Sequence, residues 1–334
     1  MDKYKQIDIL AIGDIATDVF IKIKEADTEY DKEDGGWKLC LDYGGKIPYE
    51  SKELCYAVGN SSNVAISISN LGLKSSLISY VGKDEIGNEN IKKLNEENVQ
   101  TDYIKIVDGL ESNYHYVLWY KGERTILVKH TEFPYSFPKE LEEPKWIYLS
   151  SLASNSISYH NEISEYIENH PNVFLAFQPG TLQIRLGVDA INNLYKNAKV
   201  LLCNQNEAQK ILGVKENDIP KLLKMMYEIG PKIVIITNGI KGAYSYDGNE
   251  ILFMNAFYDK NKTIEVTGAG DSFSGAFMAA LVLGKTIFDA LIWGAVNAKS
   301  VVEYVGPHKG LLNRDQIEEY IKNIPEDYKP IKIN

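Results

Sequence analysis

Arginine is scarce in this chain of 334 residues: Arg124, Arg185 and Arg314 are the only three among 36 basic side chains. Planar, two-pronged recognition of a phosphate or carboxylate therefore has few owners. Positive charge is short altogether, because 46 acidic residues leave a net charge of −10. That balance excludes a general binder of nucleic acid or anionic membrane, both of which rest on clustered positive charge. No run of like charge is long enough for a disordered arm. Cysteine is sparse as well. Cys40, Cys55 and Cys203 are too few and too scattered for a disulfide framework or a metal cluster, and they suit a reducing compartment. The longest strongly apolar stretch, Ala276 to Gly284, falls short of the ~20 apolar residues a bilayer-spanning helix needs. The opening MDKYKQIDILAIGD has no small-residue cleavage site after its apolar run, so a cytoplasmic location is expected.

Covalent and metal chemistries lack their spacings. His115, His130, His160, His170 and His308 do not fall into a His-Glu-x-x-His pattern, and no Gly-x-Ser-x-Gly elbow is present. What the chain does have is 44% apolar residues arranged in short runs that alternate with stretches of helical period. Strands are expected at 7–12, 77–81, 146–149, 173–177, 200–203 and 233–237. Helices are expected at 61–71, 86–97, 157–169, 207–212, 219–228, 270–283, 287–304 and 314–324. This alternation predicts a three-layer, Rossmann-like α/β fold, with helices on both faces of a mostly parallel sheet.

Two regions break the alternation. Residues 21–56, with Gly35-Gly36 and Gly44-Gly45, and residues 112–130, with a Lys121-Gly122-Glu123 turn, show period-two patterning. They predict a small inserted antiparallel sheet: a lid over the strand ends, a surface for homodimerisation, or a hairpin cluster with no role in the site. No repeat or linker divides the chain, so 1–334 is read as a single domain.

The most informative stretch is Glu265-Val-Thr-Gly-Ala-Gly-Asp-Ser-Phe-Ser-Gly-Ala-Phe277, running straight into an apolar helix. Gly268 and Gly270 permit a tight turn whose N–H groups point outward at a helix start, where anionic oxygens are attracted. Asp271, in the first turn, is placed to take a proton from an attacking hydroxyl while the free amides hold charge building on a phosphoryl group. An acid serving only the helix dipole is the competing explanation. The loop is not a Walker A sequence, for no Gly-Lys-Ser/Thr follows.

Thr267-Gly-Ala-Gly-Asp271 followed by Ser-Phe-Ser-Gly-Ala-Phe resembles the C-terminal signature of the ribokinase-like (PfkB) carbohydrate kinases. The order of elements agrees with that family over nearly the whole chain. The resemblance implies Asp271 as catalytic base and Gly268, Ala269 and Gly270 as the anion hole for a phosphoryl group leaving ATP·Mg²⁺. Ala57-Val-Gly-Asn-Ser-Ser-Asn63 resembles the N-terminal Gly-Gly signature, so Gly59, Asn60 and Asn63 are expected at the acceptor. Two departures bear on which acceptor: Val58 stands where the first Gly is usual, and Asn60 where ribokinase has Lys. Asp18, in Ile12-Gly-Asp14-Ile-Ala-Thr-Asp18, aligns with the family's sugar-binding aspartate. Asp14 is the alternative ligand, and both are also turn formers.

Asn204-Gln-Asn-Glu207 fits the family's Asn-x-x-Glu, tied to phosphate placement through Asn204 and to Mg²⁺ through Glu207. The same spacing spells a capping box, which needs no metal. Thr237, Gly239 and Gly242 resemble the nucleotide-side turn, and Asn297, in the helix 287–304, is expected on the adenine wall. Some members bind a monovalent cation at an Asp-Thr pair before the loop; here Glu265-Val266 stands there, which leaves K⁺ as an open candidate. Arg124 and Lys129 in the inserted sheet are available to a ligand anion, with solvated strand-edge charge as the commoner explanation.

The resemblance thus implies a phosphotransferase acting on the hydroxyl of a sugar or sugar-like small molecule. A nucleoside kinase on the same scaffold is the alternative, because Tyr114, Tyr116, Trp119 and Tyr120 are able to stack a base. An inactive sugar-binding sensor is the third reading. Phosphorylated acceptors are disfavoured by the shortage of arginine.

Overall fold

Strongly apolar runs become the inner strands of a ten-stranded central sheet. The computed structural model describes residues 6–31, 36–121, 123–257, 259, 262–325 and 328–333; Gly35 and Gly122, both expected at turns, lie outside the described residues. In chain order the strands are β1 (Ile9–Ile12), β2 (Ala16–Ile23), β3 (Asp27–Asp31), β4 (Gly36–Cys40), β5 (Tyr49–Val58), β6 (Ser75–Gly82), β7 (Ile104–Val107) and β8 (Asn113–Tyr120). They continue as β9 (Glu123–Leu127), β10 (Trp146–Leu149), β11 (Phe174–Phe177), β12 (Ala198–Asn204), β13 (Val234–Thr237), β14 (Ala243–Tyr246), β15 (Ile251–Met254) and β16 (Ile331–Ile333). The α-helices are α1 (Asn60–Asn70), α2 (Glu85–Glu96), α3 (Ile157–Asn169), α4 (Thr181–Leu186), α5 (Asn192–Asn197), α6 (Gln205–Leu212), α7 (Ile219–Glu228), α8 (Ala269–Val282), α9 (Ile287–Val301) and α10 (Arg314–Lys322).

The sheet runs β16-β15-β14-β13-β12-β11-β10-β1-β6-β7. From β13 to β7 every pair is parallel, while β14, β15 and β16 add an antiparallel edge that the apolar periodicity did not predict. Alternate side chains divide the core into two layers. Leu10, Ile147, Leu201, Val234 and Ile236 pack on one face with Ile163 of α3 and Leu222 and Met226 of α7. Ile9, Tyr148, Val200, Leu202 and Ile235 pack on the other with Val64 and Ile68 of α1, Phe273 and Phe277 of α8, and Trp293 of α9. Both faces being covered explains why these strands read as continuous apolar runs. The three-layer α/β architecture is therefore the one expected. Among the described residues no helix is long and apolar enough to cross a membrane.

The inserted sheet departs from expectation in two ways. Its order is β5-β2-β8-β9, with β2–β5 and β8–β9 antiparallel but β2–β8 parallel, so it is mixed. The cause is topological: β2 and β8 are joined through a long excursion, and only neighbours in sequence can form a tight hairpin. The sheet also begins at Ala16, earlier than position 21, which puts Asp18 on a lid strand instead of at the end of β1. Residues 27–40 form a separate β3–β4 hairpin.

Strand register defines the lid's two faces. Asp18 pairs with His115, Lys22 with Trp119, and Trp119 with Arg124, placing these side chains on one face. Tyr114, Tyr116 and Tyr120 point to the other.

Candidate active site

The loop before α8 is shaped by one glycine. Gly268 takes φ +78, in the left-handed region, and a Cβ there would stand 2.4 Å from Cβ of Pro307. Gly270 differs: its φ is not positive and a Cβ would meet nothing within 4 Å. The tight turn thus needs Gly268, while Gly270 leaves open space above the first helical turn. Asp84, Asn204, Asp218, Thr286 and Asn313 cap their helices with side chains, but α8 has no side-chain cap. Among the described residues the N–H groups of Gly270 and Asp271 find no acceptor. Bare amides at a helix start form a cradle for anionic oxygen.

Asp271 sits beside that cradle, 8% exposed. Three side-chain amides hold its carboxylate. Asn60 Nδ2 donates to Oδ1 at 2.8 Å, Gln178 Nε2 to Oδ1 at 3.2 Å and Asn63 Nδ2 to Oδ2 at 2.7 Å. Burial pushes the carboxyl above the ordinary aspartate range, opposed by these donors and by the positive charge of Arg124. Each amide is itself fixed. Ser151 Oγ donates to Asn60 Oδ1, and Ser274 Oγ and Tyr148 OH both donate to Gln178 Oε1. His308 Nε2 lies 2.9 Å from Asn63 Oδ1, and burial holds that imidazole well below its usual range, to about 3. A neutral ring donating from Nε2 satisfies the contact.

Asn60 and Asn63, expected at the acceptor, are thus tied to the carboxylate of Asp271. They lie in the first turn of α1, which leaves β5 at Gly59. That residue has φ +120, and a Cβ would lie 2.5 Å from the Asp14 carbonyl oxygen, so only glycine lets α1 begin against Asp14. The Asp14 side chain accepts from Tyr135 OH at 2.8 Å on both oxygens, and His130 Nδ1 lies 3.9 Å away. Burial raises the Asp14 carboxyl to about 7. Asp18 lies 3.1 Å from His115 Nδ1, and the other nitrogen of that ring is buried without a partner among the described residues.

A polar cavity of about 250 Å³ joins Asp271, Gly268 and Gly270 to Asn60, Asn204, Glu207, Thr237 and Arg124. Asn204 and Glu207 form the capping box: Glu207 N donates to Asn204 Oδ1 and Asn204 N to Glu207 Oε2. The cap leaves Glu207 Oε1 without a partner among the described residues. Burial raises this carboxyl as well, with Asp271 adding to the rise. No three side chains of His, Cys, Asp or Glu gather as a metal cluster among the described residues. Mg²⁺ still fits here, because that ion keeps several waters and takes only one or two carboxylates beside phosphate oxygens. Glu265 Oε2 is buried without a partner among the described residues.

An adjoining cavity of about 180 Å³ is mostly apolar, lined by Thr237, Gly239, Gly242, Met254, Phe257, Ala298 and Val302. Asn297 is not part of it. Its amide is fully buried, donating to Ser272 O at 2.9 Å and Ser67 Oγ at 3.2 Å and accepting from Leu312 N at 3.0 Å. The expectation that Asn297 faces the adenine wall is therefore corrected: α9 is apolar nearly all round, so its one amide faces inward between helices. Lys129 pairs with Glu111 on the exposed lid edge, whereas Arg124 reaches inward. Arg124, named beforehand as available to a ligand anion, lines the polar cavity, whereas Gln178 and Ser274 were not expected there; Gln178 follows β11 directly, and position at a strand's C-terminal end was the one available signal.

The family model described as pfkB family carbohydrate kinase matches residues 38–313. The chain is 24% identical, over 94% of each sequence, to an ATP-dependent 6-phosphofructokinase of Thermoanaerobacterium thermosaccharolyticum. Its fold is similar to that of Arabidopsis thaliana ribokinase complexed with ribose and ATP, with a TM-score of 0.79 and 17% identity, covering 96% of this chain and 100% of that one. It is also similar to a Methanocaldococcus jannaschii nucleoside kinase, with a TM-score of 0.75 and 18% identity over the same shares.

Proposed function

The chain belongs to the pfkB family of carbohydrate kinases, phosphotransferases with an alcohol group as acceptor, and from that premise we propose that it moves the γ-phosphoryl of ATP to a hydroxyl of an unphosphorylated sugar or sugar-like polyol. The observation that carries this reading is the carboxylate of Asp271, held by three amides beside two unclaimed N–H groups. Asp271 takes the hydroxyl proton, the acceptor oxygen forms a bond to γ-phosphorus, and the bond from that phosphorus to the β–γ bridging oxygen breaks, releasing ADP. The Gly268–Gly270 loop holds the charge on the transferring oxygens. Mg²⁺, ordered by Glu207 and by Asn204 through water, would neutralise the β- and γ-phosphates. Thr237, Gly239 and Gly242 bound the space for base and ribose. Residues 1–334 act as one kinase domain with its lid, in the cytoplasm.

Asp14 and Asp18 suit hydroxyls, since a carboxylate accepts from adjacent O–H groups. The similarity to an enzyme called 6-phosphofructokinase raises a phosphorylated acceptor. Against it stand three carboxylates, Asp14, Asp18 and Asp271, around the acceptor end. The nucleoside reading is supported by the fold likeness to a nucleoside kinase, but Tyr114, Tyr116 and Tyr120 lie on the lid face opposite Asp18 and His115. Only Trp119 of that set shares the inner face.

An ATP-consumption screen against pentoses, hexoses, hexose phosphates, keto-deoxy sugar acids and nucleosides, with and without K⁺, tests this. Turnover on a free sugar is expected, and little on its phosphate. Nucleoside-only turnover would select the alternative, and binding without turnover the sensor.

Dimerisation through the lid is supported by its outer face, where Leu54, Tyr116 and Leu127 are 39%, 45% and 54% exposed. Sedimentation velocity should give a dimer that Tyr116→Glu with Leu127→Glu splits into monomers; a wild-type monomer at all concentrations would refute it.

A further inference from the structure

The lid contributes one guanidinium to the polar cavity. Arg124 stands on β9 opposite Trp119, on the lid face that carries Asp18 and His115. From there Nη1 donates to Glu265 Oε1 at 2.8 Å and to Thr267 Oγ1 at 2.5 Å, joining the lid to the loop before α8. Glu265 is 4% exposed, but Arg124 keeps a third of its side chain open. As a plain lid fastener, the pair would need nothing more than this.

Three further facts go beyond a fastener. A guanidinium has five N–H donors in a rigid fork. Here Nη1 alone is engaged, and Nη2 and Nε have no acceptor among the described residues. Arg124 lines the polar cavity together with Gly268, Gly270 and Asp271. Among the described residues lining that cavity it is the one cation, facing the carboxylates of Glu207 and Asp271. A nucleotide triphosphate entering there meets two carboxylates, and the helix amides and Mg²⁺ otherwise carry the whole of its charge. A chain with three arginines has set one of them at this place.

We infer that Arg124 is a catalytic residue delivered by the lid: anchored through Nη1 to Glu265 and Thr267, it holds γ-phosphoryl oxygens with its free Nη2 and Nε edge during transfer. The inference rests on the phosphotransfer reading above. It gives lid closure an electrostatic role beyond excluding water, because only the closed lid brings the charge to the loop. Arg124 also favours the ionised form of Asp271, so one side chain aids both the proton acceptor and the migrating group.

The test compares wild type with Arg124→Ala, Arg124→Lys and Glu265→Gln, using D-ribose, D-fructose and adenosine as acceptors and Mg·ADP with aluminium fluoride as a mimic of the transferring group. Arg124→Ala should lower kcat about a hundredfold to a thousandfold, as loss of one charge-stabilising donor does. Its Mg·ADP affinity should stay within about threefold, since the interaction belongs to the transition state. The tightening that aluminium fluoride gives wild type should vanish. Arg124→Lys should recover little, because an ammonium lacks the fork, while added guanidinium should partly rescue Arg124→Ala. Glu265→Gln should lose less than Arg124→Ala.

Arg124→Ala turnover within about twofold of wild type would overturn the inference alone. So would equal losses in Arg124→Ala and Glu265→Gln with no further loss in the double variant, the pattern of a fastener. A wild type that neither turns over any acceptor nor tightens on the mimic would overturn the phosphotransfer reading together with it. If Arg124→Ala fails to fold, Arg124→Lys and the mimic carry the same decision.

Discussion

Asp271→Asn is expected to lower kcat by about two to four orders of magnitude, the range a positioned general base supplies, or about 3–5 kcal/mol of barrier. Nucleotide affinity should change little, because the side chain of Asp271 does not line the apolar cavity. Stability should move the other way. Burial holds the Asp271 carboxyl above its ordinary 3.8, so the folded state favours the neutral form. Above that raised value the charged carboxyl costs stability, and the cost fades as pH falls through it. At neutral pH the Asn variant therefore escapes this cost and should melt higher than wild type. Part of the gain is lost, since Asn60, Asn63 and Gln178 all donate and an amide offers them one oxygen fewer. The acid limb of kcat/KM in wild type should likewise lie above the ordinary aspartate range. Stopped assays and calorimetry across pH check each statement. A variant with wild-type turnover would remove Asp271 as base.

The second large effect separates two glycines that look alike in sequence. Gly268→Ala must place a Cβ in the left-handed region and 2.4 Å from Pro307, so something has to shift. The conformational cost and the overpacking together amount to about 2–4 kcal/mol, with turnover falling as the loop moves. Gly270→Ala meets no protein atom within 4 Å, and Ala in a helix is preferred to Gly by about 0.5–1 kcal/mol. Its methyl instead fills room beside the bare amides. Stability should hold or rise while turnover drops about a hundredfold, the scale of an ångström-sized misplacement of reacting atoms. Melting temperature and kcat measured on the two variants decide it: a fully active Gly270→Ala would mean the phosphoryl group passes elsewhere.

Local signals carried much of this architecture. Helices α3 and α7 have the predicted ends because each presents one apolar stripe and stops at a polar boundary. The Gly-Ala-Gly-Asp loop at the start of α8 was legible because its residues are consecutive. What escaped depends on distance along the chain. Gln178 meets Asp271 across 93 positions, and Arg124 meets Glu265 across 141. No periodicity encodes such meetings. The β14–β16 edge escaped because β14 and β16 interleave polar with apolar residues instead of forming continuous apolar runs, and α4 and α5, at six residues each, are too short for a stripe. Asn297 was misplaced for the opposite reason: in a helix apolar on all sides, the pattern cannot tell which face turns to solvent. Asp18 moved from a strand end to the lid because only three residues, Gly13, Asp14 and Ile15, lie between β1 and β2.

That short joint makes the lid a lever welded to the frame. Asp14 is in the weld, Asp18 is a little way along the arm, and Gly13 is pinned where a methyl would strike Ser61 Oγ at 2.2 Å. On the proposed reading, a swing of that arm twists the grip on the incoming alcohol and withdraws the guanidinium in a single stroke, which would couple loading and unloading mechanically instead of timing them by separate gates.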